Sequence, residues 1–103
     1  MPDENLVAKN FKEKLNQEIT IIGYLAAIKS TRTVQGNKMY FGTFIDREGE
    51  WIDTVHFPPS AAAFPFRGQG CYSLRGKVVL EFDFIYIEVK EMKRLETINQ
   101  ENL

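Results

Sequence analysis

Cysteine, histidine and tryptophan occur once each in the 103 residues, and proline four times. The lone Cys71 excludes an internal disulfide framework and every all-cysteine metal site, and it suits a reducing compartment. His56 has no second histidine and no cysteine cluster to partner it, so no metal centre is expected. Apolar runs fall far short of the ~20 residues that cross a bilayer. The first residues lack the basic-then-apolar order of a secretory signal. No membrane association and a cytoplasmic location are therefore expected. The chain has no GxxxxGK[ST] loop, no HExxH pair and no GxSxG elbow, and Ser60 and Ser73 lack a recognisable partner base. A non-catalytic binding module without a cofactor is the expectation. An excess of positive charge is missing too. Thirteen Lys and Arg against fourteen Asp and Glu leave a net charge of −1, which argues against a strong free-standing nucleic-acid binder.

Aromatic residues are plentiful, with eight Phe and four Tyr. They are interleaved with cations over residues 19–58, where Lys29, Arg32, Lys38, Tyr40, Phe41, Phe44, Arg47, Trp51, His56 and Phe57 follow one another. A β surface carrying both suits single-stranded nucleic acid, because bases stack on rings while Lys and Arg meet phosphates. The charge distribution softens the objection from the total. Residues 19–80 hold seven Lys and Arg against four Asp and Glu, and a ligand meets the local potential rather than the sum.

The length allows one domain with a small core. Residues 1–17 read as a short helix or linker, with Asp3 as N-cap, Glu4 in the first turn, and Leu6, Val7, Phe11 and Leu15 forming an apolar stripe. That stripe packs on the domain or connects to a preceding one. Residues 18–33 form a long first strand, in which Gly23 marks a bulge. A turn at 34–38 with Gly36-Asn37 leads to a second strand at 39–46. A turn at Arg47-Glu48-Gly49-Glu50, with Asp46 accepting backbone hydrogen bonds, leads to a third at 51–57, which Pro58-Pro59 stops. Ser60 is placed to cap one helical turn over the following alanines, Pro65 prevents a longer helix, and Phe64 and Phe66 plug the open end. The fourth strand covers 71–81 with a second bulge at Gly76. A tight turn at Phe82-Asp83, lacking the usual Gly, leads to the fifth strand at 84–95, and residues 96–103 form a polar, flexible tail. Five strands separated by short turns, with a connector between the third and fourth, describe an all-β, five-stranded Greek-key OB-fold barrel over residues 18–95.

Gly23, Thr33 with Gly36 and Lys38, the run Thr43-Phe44-Ile45-Asp46, Gly49, Phe57-Pro58 and Leu74-Arg75-Gly76-Lys77-Val78 together form a pattern. It resembles the OB-fold domain of the bacterial DNA polymerase III alpha subunit, with Phe44 in a position that is usually leucine. A similar strand pattern occurs in anticodon-binding domains of some aminoacyl-tRNA synthetases, and the Phe-Pro ending favours the polymerase. Residues 49–58 are one residue longer than the pattern, which leaves the facing of the third strand open. The resemblance implies a domain, or a small relative, that binds single-stranded template near a replicative polymerase without doing chemistry. Its partners would be single-stranded DNA and other domains or subunits of the polymerase III holoenzyme. RNA stays open, because stacking alone does not distinguish the sugars. The alternative is an architectural, protein-binding OB domain within the replisome.

Phe44 in the leucine position points inward. Alternation then places Tyr40 and Gly42 inward as well, with Met39, Phe41 and Thr43 on the ligand face. Phe41 is the leading candidate for base stacking, with core packing as its competing role; Tyr40 replaces it if the register shifts. Trp51 is either a stacking platform or a lid on the barrel end. His56 is either a hydrogen-bonded structural residue or a phosphate contact. Lys29, Arg32 and Lys38 flank the first turn, which borders the groove in OB folds, and are candidate phosphate contacts. Arg67 and Lys77 are further candidates whose position depends on strand register.

Overall fold

A computed structural model describes residues 6–96. Strands β1 (Glu18–Arg32), β2 (Lys38–Ile45), β3 (Trp51–His56), β4 (Cys71–Glu81) and β5 (Phe84–Arg94) close into a barrel in the order β1-β2-β3-β5-β4. A 3-10 helix (Ala8–Glu13) precedes them, and a short helix α1 (Pro58–Ala63) joins β3 to β4. This is the five-stranded OB-fold. Every strand pairing is antiparallel except β3 with β5.

The inward positions alternate as the pleat requires. Phe44, Ile52, Tyr72, Leu74, Val78 and Ile87 are fully buried, and each such side chain contributes about 1.5–3 kcal/mol through removal from water. Phe66 comes in from the connector, stacks beside Phe44 and meets Tyr72 edgewise, at ring-centre distances of 6.4 Å each. The Tyr72 hydroxyl accepts the Arg67 N–H at 2.8 Å and donates to the Gly68 carbonyl. One core ring thus fixes the connector that plugs the barrel end.

β1 belongs to both halves of the barrel. Its first half pairs with β4 and its second with β2, the two registers meeting at Tyr24. The irregularity expected at Gly23 lies instead between Leu25 and Ala27, beside that hand-over. Gly23 serves close approach: a Cβ there would stand 2.9 Å from the Phe44 Cβ and 3.2 Å from the Ile52 Cδ1. The absent side chain makes room for two fully buried residues of the neighbouring ladder. The second bulge does fall between Arg75 and Gly76.

Two local expectations change. The expected N-terminal helix is a 3-10 turn starting at Ala8, with Leu6, Val7 and Phe11 buried; Asp3 and Glu4 lie outside the described residues. Asn10 Oδ1 accepts the Val7 N–H at 3.1 Å, and Asp46 Oδ2 accepts the Ala8 N–H at 2.8 Å. Ser60 does not cap α1. That helix begins two residues earlier, with Pro58 at its first position, where a fixed φ is already helical and a missing N–H costs nothing.

Asp46 does more than form its turn. Its Oδ1 accepts the N–H groups of Glu48 and Glu50 at 2.8 and 2.9 Å, while Oδ2 holds the N-terminal helix. Burial alone would raise this carboxyl. The N–H groups of Ala8, Glu50 and Glu48, with Arg47 alongside, outweigh it and hold the group below the usual carboxylate range.

Candidate nucleic-acid interface

The ladder between β2 and β3 sets which side chains face out. Phe44 lies opposite Ile52, Gly42 opposite Thr54 and Tyr40 opposite His56. Ile52, Thr54 and His56 are all buried, so these pairs point inward. Phe41 with Val55, Thr43 with Asp53, and Ile45 with Trp51 then point outward. The facing of the third strand, open from sequence, is resolved: Trp51 and Asp53 are outside and His56 is inside.

His56 is therefore part of the barrel interior and out of reach of a surface ligand. The Thr54 hydroxyl donates to the Gly42 carbonyl at 3.1 Å, so His56 Nε2–H donates to Thr54 Oγ1 at 2.8 Å, leaving Nδ1 buried without a partner among the described residues. Burial lowers the ring's pKa to about 4, and the imidazole is neutral. Tyr40 faces inward, as alternation from Phe44 requires, and packs its ring edgewise against Phe66 at 5.7 Å. Trp51 is 62% exposed and lids nothing.

On the outer face a cleft of about 410 Å3 opens between the β1–β2 hairpin and the β4–β5 hairpin. Met39 and Phe41 form one wall and Phe84 and Tyr86 the other. Thr43, Asp53 and Val55 form the floor, and Phe57 closes one side. Phe41, Phe57 and Phe84 each keep 40–51% of their surface exposed around this space. The Phe84 and Tyr86 rings lie 6.2 Å apart, inclined at 34°. The Tyr86 hydroxyl reaches Glu81 Oε1 at 3.3 Å. Partial burial and the nearby Glu81 and Glu88 carboxylates raise its pKa. At the hairpin tip Phe82 is 96% exposed with φ +52°, followed by Asp83 at φ +62°.

The candidate cations separate. Lys29 lies opposite Phe41, so the two share the outer face. Arg32 lies opposite Lys38, one strand position out of phase with Phe41, which puts this pair on the other face of the hairpin. Arg32 Nη1 also donates to the Gly36 carbonyl at 2.8 Å and braces the turn. Lys77 occupies the same transverse row as Phe41, through Val55 and Glu88. Three inter-strand steps place it about 14 Å along that row, flanked by Glu88 and Glu18. Arg67 borders a different hollow, with Phe64, Met92, Lys93 and Arg94. Arg75 is engaged by Glu18 and Glu91 at 3.1 and 3.0 Å.

Phe41, Thr43, Trp51 and Lys29 are thus brought onto one face. Arg32 and Lys38 border it from the far side of the hairpin, and His56, Tyr40 and Arg67 do not join it. Sequence reasoning missed Phe84, Tyr86 and Asp53, and it placed Phe57 in the ring-and-cation stretch without singling it out as a contact. One signal for the β4–β5 rings was available: Phe82 and Asp83 occupy a two-residue turn in which Asn and Gly cost least. A bulky ring kept in a left-handed position points to a use for it.

Neither a protein-family model nor a curated protein sequence matches the chain. Solved structures do match. A chain of the S. pombe Stn1-Ten1 complex aligns at TM-score 0.61 and 19% identity, over 82% of this chain and 62% of that one. A Klebsiella pneumoniae lipoprotein, provisionally assigned to nucleic-acid binding, aligns at TM-score 0.61 and 15% identity over 86% and 78%. The second OB-fold domain of replication protein A from Methanococcus maripaludis aligns at TM-score 0.55 and 19% identity over 81% and 88%. The chain spans less than two thirds of the Stn1-Ten1 chain it resembles. At these identities the matches establish the OB fold. Among the described residues no helix is long and apolar enough to cross a membrane.

Proposed function

We propose that this chain is a single-stranded nucleic-acid binding module, with bases seated in the cleft between the two hairpins. The observation that carries the reading is the placement of Phe41, Phe57 and Phe84 around one outward cleft, each ring half-exposed. A ring left half in water in a small domain loses burial energy, and a base stacked on it recovers about 1–3 kcal/mol. The replication protein A domain and the Klebsiella lipoprotein support the assignment by analogy of fold. The finer role, holding single-stranded DNA template beside a bacterial polymerase III alpha subunit in the cytoplasm, rests on the motif resemblance at Gly23, Asp46, Gly49 and Phe57-Pro58. Other holoenzyme domains or subunits would be its protein partners.

The second reading, a protein-binding domain within the replisome, has one observation in its favour. Asp53 and Glu81 line the cleft, and acidic groups repel phosphates. Titration with short DNA and RNA oligonucleotides, followed by Trp51 fluorescence and amide chemical shifts, separates the two. Nucleic-acid binding predicts shifts at Phe41, Val55 and Phe84 and an affinity that falls with salt, by about 0.7 in logarithmic slope per phosphate contacted. Silence on that face with every oligonucleotide at low salt defeats the reading. Retention of a holoenzyme subunit at high salt, with no oligonucleotide bound, establishes the protein-binding alternative.

A further inference from the structure

The floor of the cleft carries a carboxylate that the stacking account leaves unused. Asp53 lies opposite Thr43 in the β2–β3 ladder and lines the same space as Phe41, Phe84 and Tyr86. It is half-buried, and among the described residues burial alone perturbs it, with no hydrogen bond or neighbouring charge acting on it. In the empty protein its oxygens keep contact with water, and a donor that replaced that water between the rings would make a charge-assisted hydrogen bond. Burial accordingly raises its pKa. Its position, between ring walls on a strand at the base of a cleft of about 410 Å3, is where the edge of a stacked base would come to rest.

A carboxylate only accepts hydrogen bonds. Bases differ in what their edges offer it. Cytosine presents its N4 amine and adenine its N6 amine. Guanine presents N1–H beside its N2 amine, two parallel donors that match two carboxylate oxygens. Thymine and uracil present only N3–H, between two carbonyl oxygens, and both carbonyls face a negative charge.

Resting on the nucleic-acid reading above, we infer that Asp53 selects the base that occupies this cleft, favouring bases that carry an exocyclic amine and rejecting thymine and uracil. The aromatic walls hold any base, and the floor decides which one. Phosphates run outside the cleft, toward Lys29 on the β1–β2 side, since Asp53 and Glu81 exclude them from within. Homopolymeric oligo-dT would then be the weakest ligand.

The test compares oligo-dC, oligo-dT, and oligo-dT with one guanine substituted, at fixed low salt, by Trp51 fluorescence and amide shifts. Oligo-dC and the guanine-containing oligomer are expected to bind about tenfold more tightly than oligo-dT, within the discrimination of one well-formed base contact. Asp53→Asn keeps the size and loses the charge, and its amide both donates and accepts. It should therefore gain affinity for oligo-dT and bring the ratio near one. Asp53→Ala should also abolish the ratio. The ratio is the readout, because removing a negative charge strengthens all oligonucleotides together. Equal affinities in the unsubstituted protein, or a preference that survives Asp53→Asn, overturn the inference and leave the nucleic-acid reading intact. Failure of every oligonucleotide to bind overturns both.

Discussion

The two hairpins that border the cleft are built from opposite materials. The β1–β2 hairpin carries Lys29, Arg32 and Lys38 and turns at Gly36, whose φ of +89° costs that residue little. The β4–β5 hairpin carries Phe82, Phe84 and Tyr86 beside Glu81, and turns through two non-glycine residues at positive φ. One side supplies charge on a relaxed turn. The other supplies rings on a strained one. A ligand lying between them would meet different physics at its two edges, phosphate attraction beside the Phe41 ring on the first and stacking without a cation on the second. Each contribution is separable by experiment.

Both hairpins rest on one barrel, and acid tests that barrel from inside with the largest expected effect. His56 takes up a proton below about 4 in the folded protein and near its ordinary 6.5 when unfolded. Between those values the unfolded state binds more protons, so stability falls as pH drops from 6.5 to 4 and levels off below. The loss is on the order of 3 kcal/mol, measurable as a shift in urea midpoint. Asp53, raised by burial, acts in the opposite sense over part of this range. Asp46, held low, loses its stabilisation only as pH falls below its ordinary 3.8. The His56 share is therefore read as the difference in slope between the natural protein and His56→Gln.

Removing rings should come next. Phe41→Ala and Phe84→Ala, on opposite walls, should each weaken oligonucleotide binding by about 1–3 kcal/mol while leaving the salt dependence unchanged. If Phe84→Ala is silent and Phe41→Ala is not, the β4–β5 side is not a stacking wall and the division of materials fails. A smaller effect is expected from the charged side. Lys29→Ala should reduce the logarithmic salt slope by about 0.7. Lys38→Ala should reduce it less, because Lys38 projects from the other face of the hairpin; equal reductions would mean that the strand wraps the hairpin tip.

The smallest effect is the most diagnostic of strain. Replacing Phe82-Asp83 by Asn-Gly should raise stability by about 0.5–1 kcal/mol, since these residues fit the turn better. The same change should lower oligonucleotide affinity. A turn that becomes more stable without losing affinity would show that Phe82 has no part in binding.

Much of the barrel could be read from the chain because its signals are local. Alternation from Phe44 orders all of β2, Asp46 and Gly49 announce their turn, and Gly76 marks a bulge. Other features depend on pairings that no local pattern displays. Gly23 is small for the sake of Phe44 and Ile52 across the sheet, so its own neighbours give no reason for it. The facing of Trp51, Asp53 and His56 hangs on one residue of register with β2. Phe84 and Tyr86 reach the site only because β5 runs parallel beside β3, a contact between segments about thirty residues apart. Lys29, Arg32 and Lys38 cluster in sequence, yet strand alternation assigns them to two faces.

The β3–β5 junction also has a mechanical consequence. It is laced through Thr54 with Ile87 and Val55 with Glu88 alone, whereas the β4–β5 ladder runs from Tyr72 with Arg94 to Glu81 with Phe84. This is the seam where the cylinder closes on the fewest rungs, and the cleft straddles it, with Val55 on one lip and Tyr86 on the other. A base wedged there grips both lips at once. Occupancy and closure are then thermodynamically tied: whatever tightens the seam returns as affinity, and whatever fills the cleft works as a clasp.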